Sequence, residues 1–220
     1  MFNIAIDGPA GAGKSTIAKE IARRIGFVYV DTGAMFRSIA LYLLNNNIDS
    51  ENEELVSKSC PDIDITITYV DNEQQVILNG VNVASLIRAE EVGKTASTIA
   101  KYGAVRSKLL ELQRAIASKE QVIMDGRDIG TAVLPDAELK IYLTASSDCR
   151  AERRVKQLEE SGVTADFEEI KADIIKRDEQ DMSREIAPLK QADGAVLVDS
   201  SDMTVDEVIE RIISLYRERA

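Results

Sequence analysis

The sequence contains no histidine and only two cysteines among its 220 residues. The first absence removes the commonest general base and the commonest zinc ligand together. Cys60 and Cys149 are neither neighbours nor a C-x-x-C pair, which excludes a disulfide framework and argues for a reducing compartment. No run of roughly eighteen apolar residues occurs, so no membrane-spanning helix is expected. The chain opens on a core-type strand, with no signal-peptide pattern, and the expected location is the cytoplasm. Positive charge is also in deficit. With 27 Lys and Arg against 38 Asp and Glu, the net charge is −11. That balance argues against nucleic acid or a membrane held by a broad basic face.

What is present is concentrated near the N-terminus. Ile4-Ala5-Ile6 reads as a buried strand, Gly8-Pro9-Ala10-Gly11-Ala12-Gly13-Lys14-Ser15 fits G-x-x-x-x-G-K-[ST], and an amphipathic helix opens at Thr16-Ile17. This strand-loop-helix context is the one that the phosphate-binding loop needs. Glycines let successive N–H groups point into one concavity, and the helix N-terminus adds partial positive charge. In such a loop Lys14 reaches the β- and γ-phosphates of a nucleoside triphosphate and the Ser15 hydroxyl holds Mg²⁺. The alternative, a glycine-rich turn with no chemical role, is poorly matched by so complete a motif.

The length suits one α/β domain spanning 1–220. Apolar runs at Phe27–Val30, Val122–Met124, Leu139–Leu143 and Ala195–Val198 alternate with helical patterns. That alternation predicts a sheet of about five parallel strands with right-handed crossovers. One stretch departs from it. Asp62–Tyr69 alternates polar and apolar residues, and Val76–Val83 carries Asn79-Gly80 between β-formers, a hairpin signal. A small antiparallel insertion near 62–84 is therefore expected. Helical pattern resumes from Ser85 to Lys119, and Ser146-Ser147-Asp148 precedes a helix that breaks at Glu159-Glu160-Ser161-Gly162. A further helix runs from Phe167 toward Arg184, and Thr204-x-x-Glu207 forms a capping box before the last helix.

Three polar clusters bear on what receives the phosphoryl group. Asp125-Gly126-Arg127-Asp128 follows a buried strand, at the sheet edge where open α/β folds bind ligands. Asp125 stands where an acidic residue commonly supports the Mg²⁺ shell from its second sphere. Arg177, Asp181 and Arg184 follow at i, i+4 and i+7, which also suits an exposed ion-pair ladder. Arg150, Arg153 and Arg154 by themselves read as a solvated basic face. Beside a triphosphate, however, arginines on an excursion can close over the phosphates, supply transition-state charge and exclude water.

Asp31-Thr32-Gly33-Ala34-Met35-Phe36-Arg37, Asp125-Gly126-Arg127-Asp128-Ile129-Gly130-Thr131, and Arg177-Asp178-x-x-Asp181-x-x-Arg184 ending near Ala187-Pro188-Leu189 closely resemble the bacterial cytidylate kinases. The resemblance covers essentially the whole chain, including the antiparallel insertion. It implies a phosphate-loop NTPase fold with a five-stranded parallel sheet, a monophosphate-binding region at about 33–107 and a helical lid at about 150–184. It also implies ATP-dependent phosphorylation of CMP and dCMP with Mg²⁺. By the same resemblance ATP lies on Gly8, Pro9, Ala10, Gly11, Ala12, Gly13, Lys14, Ser15 and Thr16. The CMP phosphate falls near Thr32, Arg37 and Arg127. Ser97, Arg106 and Asp128 face the cytosine edge, and Arg177, Asp181 and Arg184 the sugar and phosphates. Lys14, Arg127, Arg154 and Arg177 are the implied catalytic cations. Thr32 stands where the family commonly has serine and keeps the hydroxyl.

The chemistry agrees with this placement. Cytosine offers an amino donor to a carboxylate such as Asp128, and N3 and O2 acceptors to Arg106 and Ser97. Uracil sets a carbonyl against Asp128, a mismatch of roughly 1–3 kcal/mol. The acceptor oxygen belongs to a phosphate already ionised at neutral pH, so no general base is required. A kinase acting on AMP, UMP or a small alcohol is the nearest alternative, with Asp31 or Asp125 as base for an alcohol. A nucleotide switch is disfavoured, since N-K-x-D, D-x-x-G and L-S-G-G-Q do not occur. A monomer is expected, and without nucleotide the arginines are expected to repel one another and hold the cleft open.

Overall fold

The computed structural model describes residues 1–70, 73–160 and 162–220. Five parallel strands form the central sheet: β1 (Ile4–Asp7), β2 (Val28–Asp31), β6 (Val122–Gly126), β7 (Leu139–Thr144) and β8 (Val196–Asp199), in the order β2-β6-β1-β7-β8. The expected sheet is therefore present in number, direction and strand identity. Its strands read as continuous apolar runs because both faces are covered. Ile4 and Ile6 pack with Ile17, Ile21 and Ile209 on one side. Ala5 packs with Val30, Met35, Ile39 and Met124 on the other.

Helices α1 (Lys14–Ile25) and α8 (Val205–Arg217) cover the first face, and α2 (Thr32–Asn45), α4 (Glu90–Ile99) and α5 (Gly103–Ala117) stand on the second, with the short α3 (Glu53–Ser59). The capping box at Thr204 and Glu207 is complete, each residue bonding the other's backbone N–H. The helical pattern expected over 85–119 resolves into a 3₁₀ turn (Leu86–Arg88), α4 and α5. Tyr102 sits extended between the two helices, anchored by its hydroxyl to the carbonyls of Ser50 and Glu51.

The antiparallel insertion consists of β3 (Ile65–Val70), β4 (Glu73–Leu78) and β5 (Val81–Asn82). Asn79 and Gly80 both take positive φ, 47° and 82°, the geometry of a type I′ two-residue turn. β2 is an edge strand, whose unpaired backbone would otherwise be open. The insertion covers it. The Gln74 side chain accepts the Asp31 N–H at 2.8 Å and donates to the Asp31 carbonyl at 3.3 Å, while the Tyr69 hydroxyl donates to the Tyr29 carbonyl.

Helices α6 (Ser147–Glu160) and α7 (Phe167–Met182) pack against each other over the carboxyl edge of the sheet. Ser146 caps α6 by accepting the Cys149 N–H. Of the residues expected to break α6, Ser161 lies outside the described residues. Gly162 takes φ 77° and donates to the Glu159 carbonyl. Among the described residues no helix is long and apolar enough to cross a membrane.

Candidate active site

All five strands of the main sheet point their carboxyl ends at one cleft of about 590 Å³. β1 runs into the phosphate loop. At Gly8 a Cβ would lie 1.9 Å from the Leu143 carbonyl oxygen, so only glycine lets the loop leave the strand here. Gly13 takes φ 87° as it enters α1 and caps the helix without a side chain, leaving the first N–H groups facing outward. Residues 10–16 line the cleft, with Gly8 and Pro9 leading into them from β1.

Lys14 is buried, with its ammonium donating to the Pro9 carbonyl at 2.7 Å. Burial, followed by the Arg127 charge, lowers its pKa from 10.5 to about 7, against the pull of Asp125, Asp7 and Asp181. The Ser15 hydroxyl donates to one Asp125 oxygen at 2.8 Å, and the Tyr29 hydroxyl donates to the other at 2.9 Å. Burial and the neighbouring Asp31 carry Asp125 up to about 6. With its proton turned to Asp125, Ser15 keeps its lone pairs for a cation. The described residues hold no cluster of three or more His, Cys, Asp or Glu suited to a metal. A hard cation here would therefore take one hydroxyl from the protein and the rest from phosphate and water, which suits Mg²⁺.

The second half of the cleft carries the other expected residues. Thr32, Arg37, Ser97, Arg106, Arg127, Asp128, Arg177, Asp181 and Arg184 all line it together with the phosphate loop. Asp128 is ion-paired to Arg106, which also donates to the Ala100 carbonyl and lies 5.8 Å over the Phe36 ring. Thr32 donates its hydroxyl to the Asp125 carbonyl at 2.7 Å. Arg37 is braced on Asp31 at 3.0 Å, and its buried Nε has no partner among the described residues.

The arginines of the expected lid differ from expectation in three ways. Arg184 does not share a helical face with Arg177 and Asp181, because α7 ends at Met182. The chain turns there and Leu189 donates back to the Asp181 carbonyl at 2.8 Å, which brings Arg184 onto Asp181 from a loop. The arginines also do not simply repel. Asp181 accepts from Arg127 at 2.8 Å and from Arg184, holding the two together, while Arg177 stays exposed on α7. Finally, Arg150 is no part of a solvated face. It is 6 % exposed, donates to the Ala10 and Ala145 carbonyls at 2.9 Å each, and pairs with Asp178 at 2.7 Å. Arg153 bonds Ser200, and of the three arginines of α6 Arg154 is the solvent-facing one, on Gln157 at the cleft edge.

Arg150 thus ties the phosphate loop to α7. Arg150→Ala would leave Asp178 charged in a buried site, and an expected loss of about 3–5 kcal/mol follows from breaking such a pair. Urea unfolding of the variant checks it. A loss below about 1 kcal/mol would mean that water already shields the pair.

Asp7, Tyr29, Gln74 and the Arg150–Asp178 pair were not picked out as site residues from the sequence. Their roles depend on partners far away in the chain, although a charged residue closing a core strand, as Asp7 does, was a visible signal.

A phosphate loop with a hydroxyl–carboxylate pair beside its lysine, opening on an arginine-lined second compartment, defines a phosphate-loop nucleotide kinase. The family model described as "Cytidylate kinase" matches residues 4–218, and the chain belongs to that family of nucleoside monophosphate kinases. The cytidylate kinase of Caldicellulosiruptor saccharolyticus is 47% identical over 215 residues, covering 98% of this chain and 95% of its own. That of Desulfitobacterium hafniense is 47% identical over 218 residues, covering 99% and 94%. Among solved structures, an uncharacterized protein from Eubacterium ventriosum shares the fold, with a TM-score of 0.56 at 14% identity and 99% of both chains covered.

Proposed function

We propose that this chain transfers the γ-phosphoryl group of ATP to CMP and dCMP, yielding ADP and CDP or dCDP. The observation that carries this reading is a single cleft with the phosphate loop at one end and the Arg106–Asp128 pair at the other. The relatives named above bear the same activity in their names.

The roles follow from the chemistry. Residues 8–16 hold the triphosphate through the backbone N–H groups of all but Pro9, and through the α1 dipole. Lys14 neutralises charge on the β- and γ-phosphates. Asp128 accepts from the cytosine amino group, while Arg106 and Ser97 donate to N3 and O2. Thr32, Arg37 and Arg127 hold the acceptor phosphate, with Asp181 and Arg184 on the sugar side. Ser15, oriented by Asp125, would hold Mg²⁺, which shields charge between the β- and γ-phosphates when bound.

An ionised oxygen of the CMP phosphate forms the new P–O bond as the bond to the ADP bridging oxygen breaks. No proton needs removing. That suits a site in which Asp125 spends both oxygens on hydroxyl donors and Asp31 is braced by Arg37 and Arg88, which leaves neither as a ready base for an alcohol. Arg127, Arg154 and Arg177 supply transition-state charge as the excursion at 150–184 closes, with 33–107 forming the acceptor-binding region.

A monomeric catalytic unit belongs to this reading. The free thiols Cys60 and Cys149 are in keeping with a cytoplasmic setting. Neither nucleic acid nor a membrane is a partner in this reading.

A coupled ADP-release assay with Mg·ATP against CMP, dCMP, UMP and AMP tests it. Turnover is expected to be fast with CMP and dCMP and weak with UMP. Equal turnover of UMP or AMP would keep the kinase and refute the cytosine pocket, and no turnover with any monophosphate would refute the acceptor class.

A further inference from the structure

One buried charge has no part in the roles above. Asp7 closes β1, paired in register with Gly126 of β6 on one side and Tyr142 of β7 on the other, and is 3 % exposed. Its carboxylate crosses the top of the sheet to a π-helical turn at Ile129–Val133. One oxygen accepts the Ile129 N–H and the other the Gly130 N–H, both at 2.7 Å. A helical turn leaves its first N–H groups without internal acceptors. The residue in the capping position is Asp128, whose side chain makes no cap bond because it is committed to Arg106. Asp7 supplies the missing cap from another strand.

The turn begins directly after Arg127 and Asp128. Whatever fixes its first two amides also fixes where those side chains start. Gly130 is part of the fit, since a Cβ there would crowd Ala192 at 3.2 Å and stand 3.4 Å from the Asp7 carboxylate.

We propose that Asp7 is a positioning residue for the acceptor nucleotide, holding Arg127 and Asp128 in register by capping the turn that follows them. This rests on the assignment of those two residues to acceptor phosphate and base. A carboxylate is required because two donors converge on two oxygens. Asparagine offers one acceptor and would set its own N–H₂ against the other amide. The charge is not kept for stability. Burial raises Asp7 to about 6 even though both amide bonds and Lys14 pull it down. Asp7→Asn relieves that penalty while losing one bond, so the fold is retained as register is lost. Removing a negative charge near Lys14 lessens repulsion of the triphosphate, while the proton that Asp7 helps Lys14 to hold is returned by the triphosphate itself.

Steady-state kinetics of wild type and Asp7→Asn, with ATP, CMP and UMP each varied, test the proposal. The expected result is a KM for CMP raised about tenfold, the scale of one lost buried hydrogen bond, and a narrowed CMP-over-UMP preference. The KM for ATP should stay within about twofold of wild type. A parallel rise in both KM values, or no change in the CMP value, overturns the proposal. Should the variant not fold, amide exchange in wild type decides. Exchange of Ile129 and Gly130 as slow as that of β1 supports the cap, and exchange at exposed-loop rates overturns it. Wild type inactive on CMP refutes the acceptor assignment itself and the proposal with it, a failure seen before any variant is made.

Discussion

Replacing Lys14 by methionine is expected to lower kcat by roughly 10²–10³-fold, the scale of removing one preorganised charge donor from a transition state, while making the ligand-free protein more heat-stable at neutral pH. The two effects share a cause. The ammonium is buried beside a single backbone acceptor, Pro9, and the Arg127 charge lies close by. Its folded pKa of about 7 is below its ordinary value of 10.5. Between those values the unfolded chain binds more protons, so this group makes stability rise with pH across that window. At the lower end the fold carries the full penalty of the buried charge. Methionine fills similar volume without it. Calorimetric Tm across the window should show Lys14→Met above wild type near pH 7, with the gap closing as pH rises.

The same site predicts a binding signature. Triphosphate oxygens would draw a proton back onto Lys14, so ATP binding above about pH 7 should take up protons, measured by titration calorimetry in buffers of different ionisation heat. The variant should lose that uptake. A Lys14→Met protein less stable than wild type near pH 7 would show that burying the ammonium carries no penalty.

What could be read from sequence was whatever local periodicity decides. The run Ile4-Ala5-Ile6 signals a strand covered on both sides, and it splits its side chains between the two apolar layers. Asn79-Gly80 signals a hairpin because few other residues accept two positive φ values in succession. The phosphate loop carries its own geometry. The rest depended on distant partners. Arg150, Arg153 and Arg154 look alike along a helix, and only the arrival of Asp178 on α7 makes the first a buried strap and leaves the last at the cleft edge. Arg184 continued a helical spacing, but the helix stops two residues earlier and Ala187 takes a left-handed φ of 50° before Pro188. No glycine announced that turn. The bracing of Asp31 by Gln74 required knowing that β2 lies at the sheet edge, a property of topology rather than of any local pattern.

Base selection should respond most to Asp128→Asn. The kcat/KM for CMP is expected to fall roughly 10–100-fold, the equivalent of about 1–3 kcal/mol for a buried donor left without its acceptor, while that for UMP rises. In the proposed pocket a carboxylate acceptor would pair with the amino group of cytosine and oppose the O4 carbonyl of uracil. The amide of asparagine can turn its N–H₂ to O4. The rise should nonetheless stop short of inverting the preference, because Arg106 still presents a donor where uracil carries its own N3–H. Arg106 should stay in place without the charge of Asp128, since it also donates to the Ala100 carbonyl at 3.0 Å and lies over Phe36. Measuring kcat/KM for both nucleotides in wild type and variant separates these contributions. A compressed CMP-to-UMP ratio places the carboxylate at the 4-position of the base. An equal loss on both nucleotides would instead mean that Asp128 serves the site only by holding Arg106, and that base selection lies with Ser97 and Arg106.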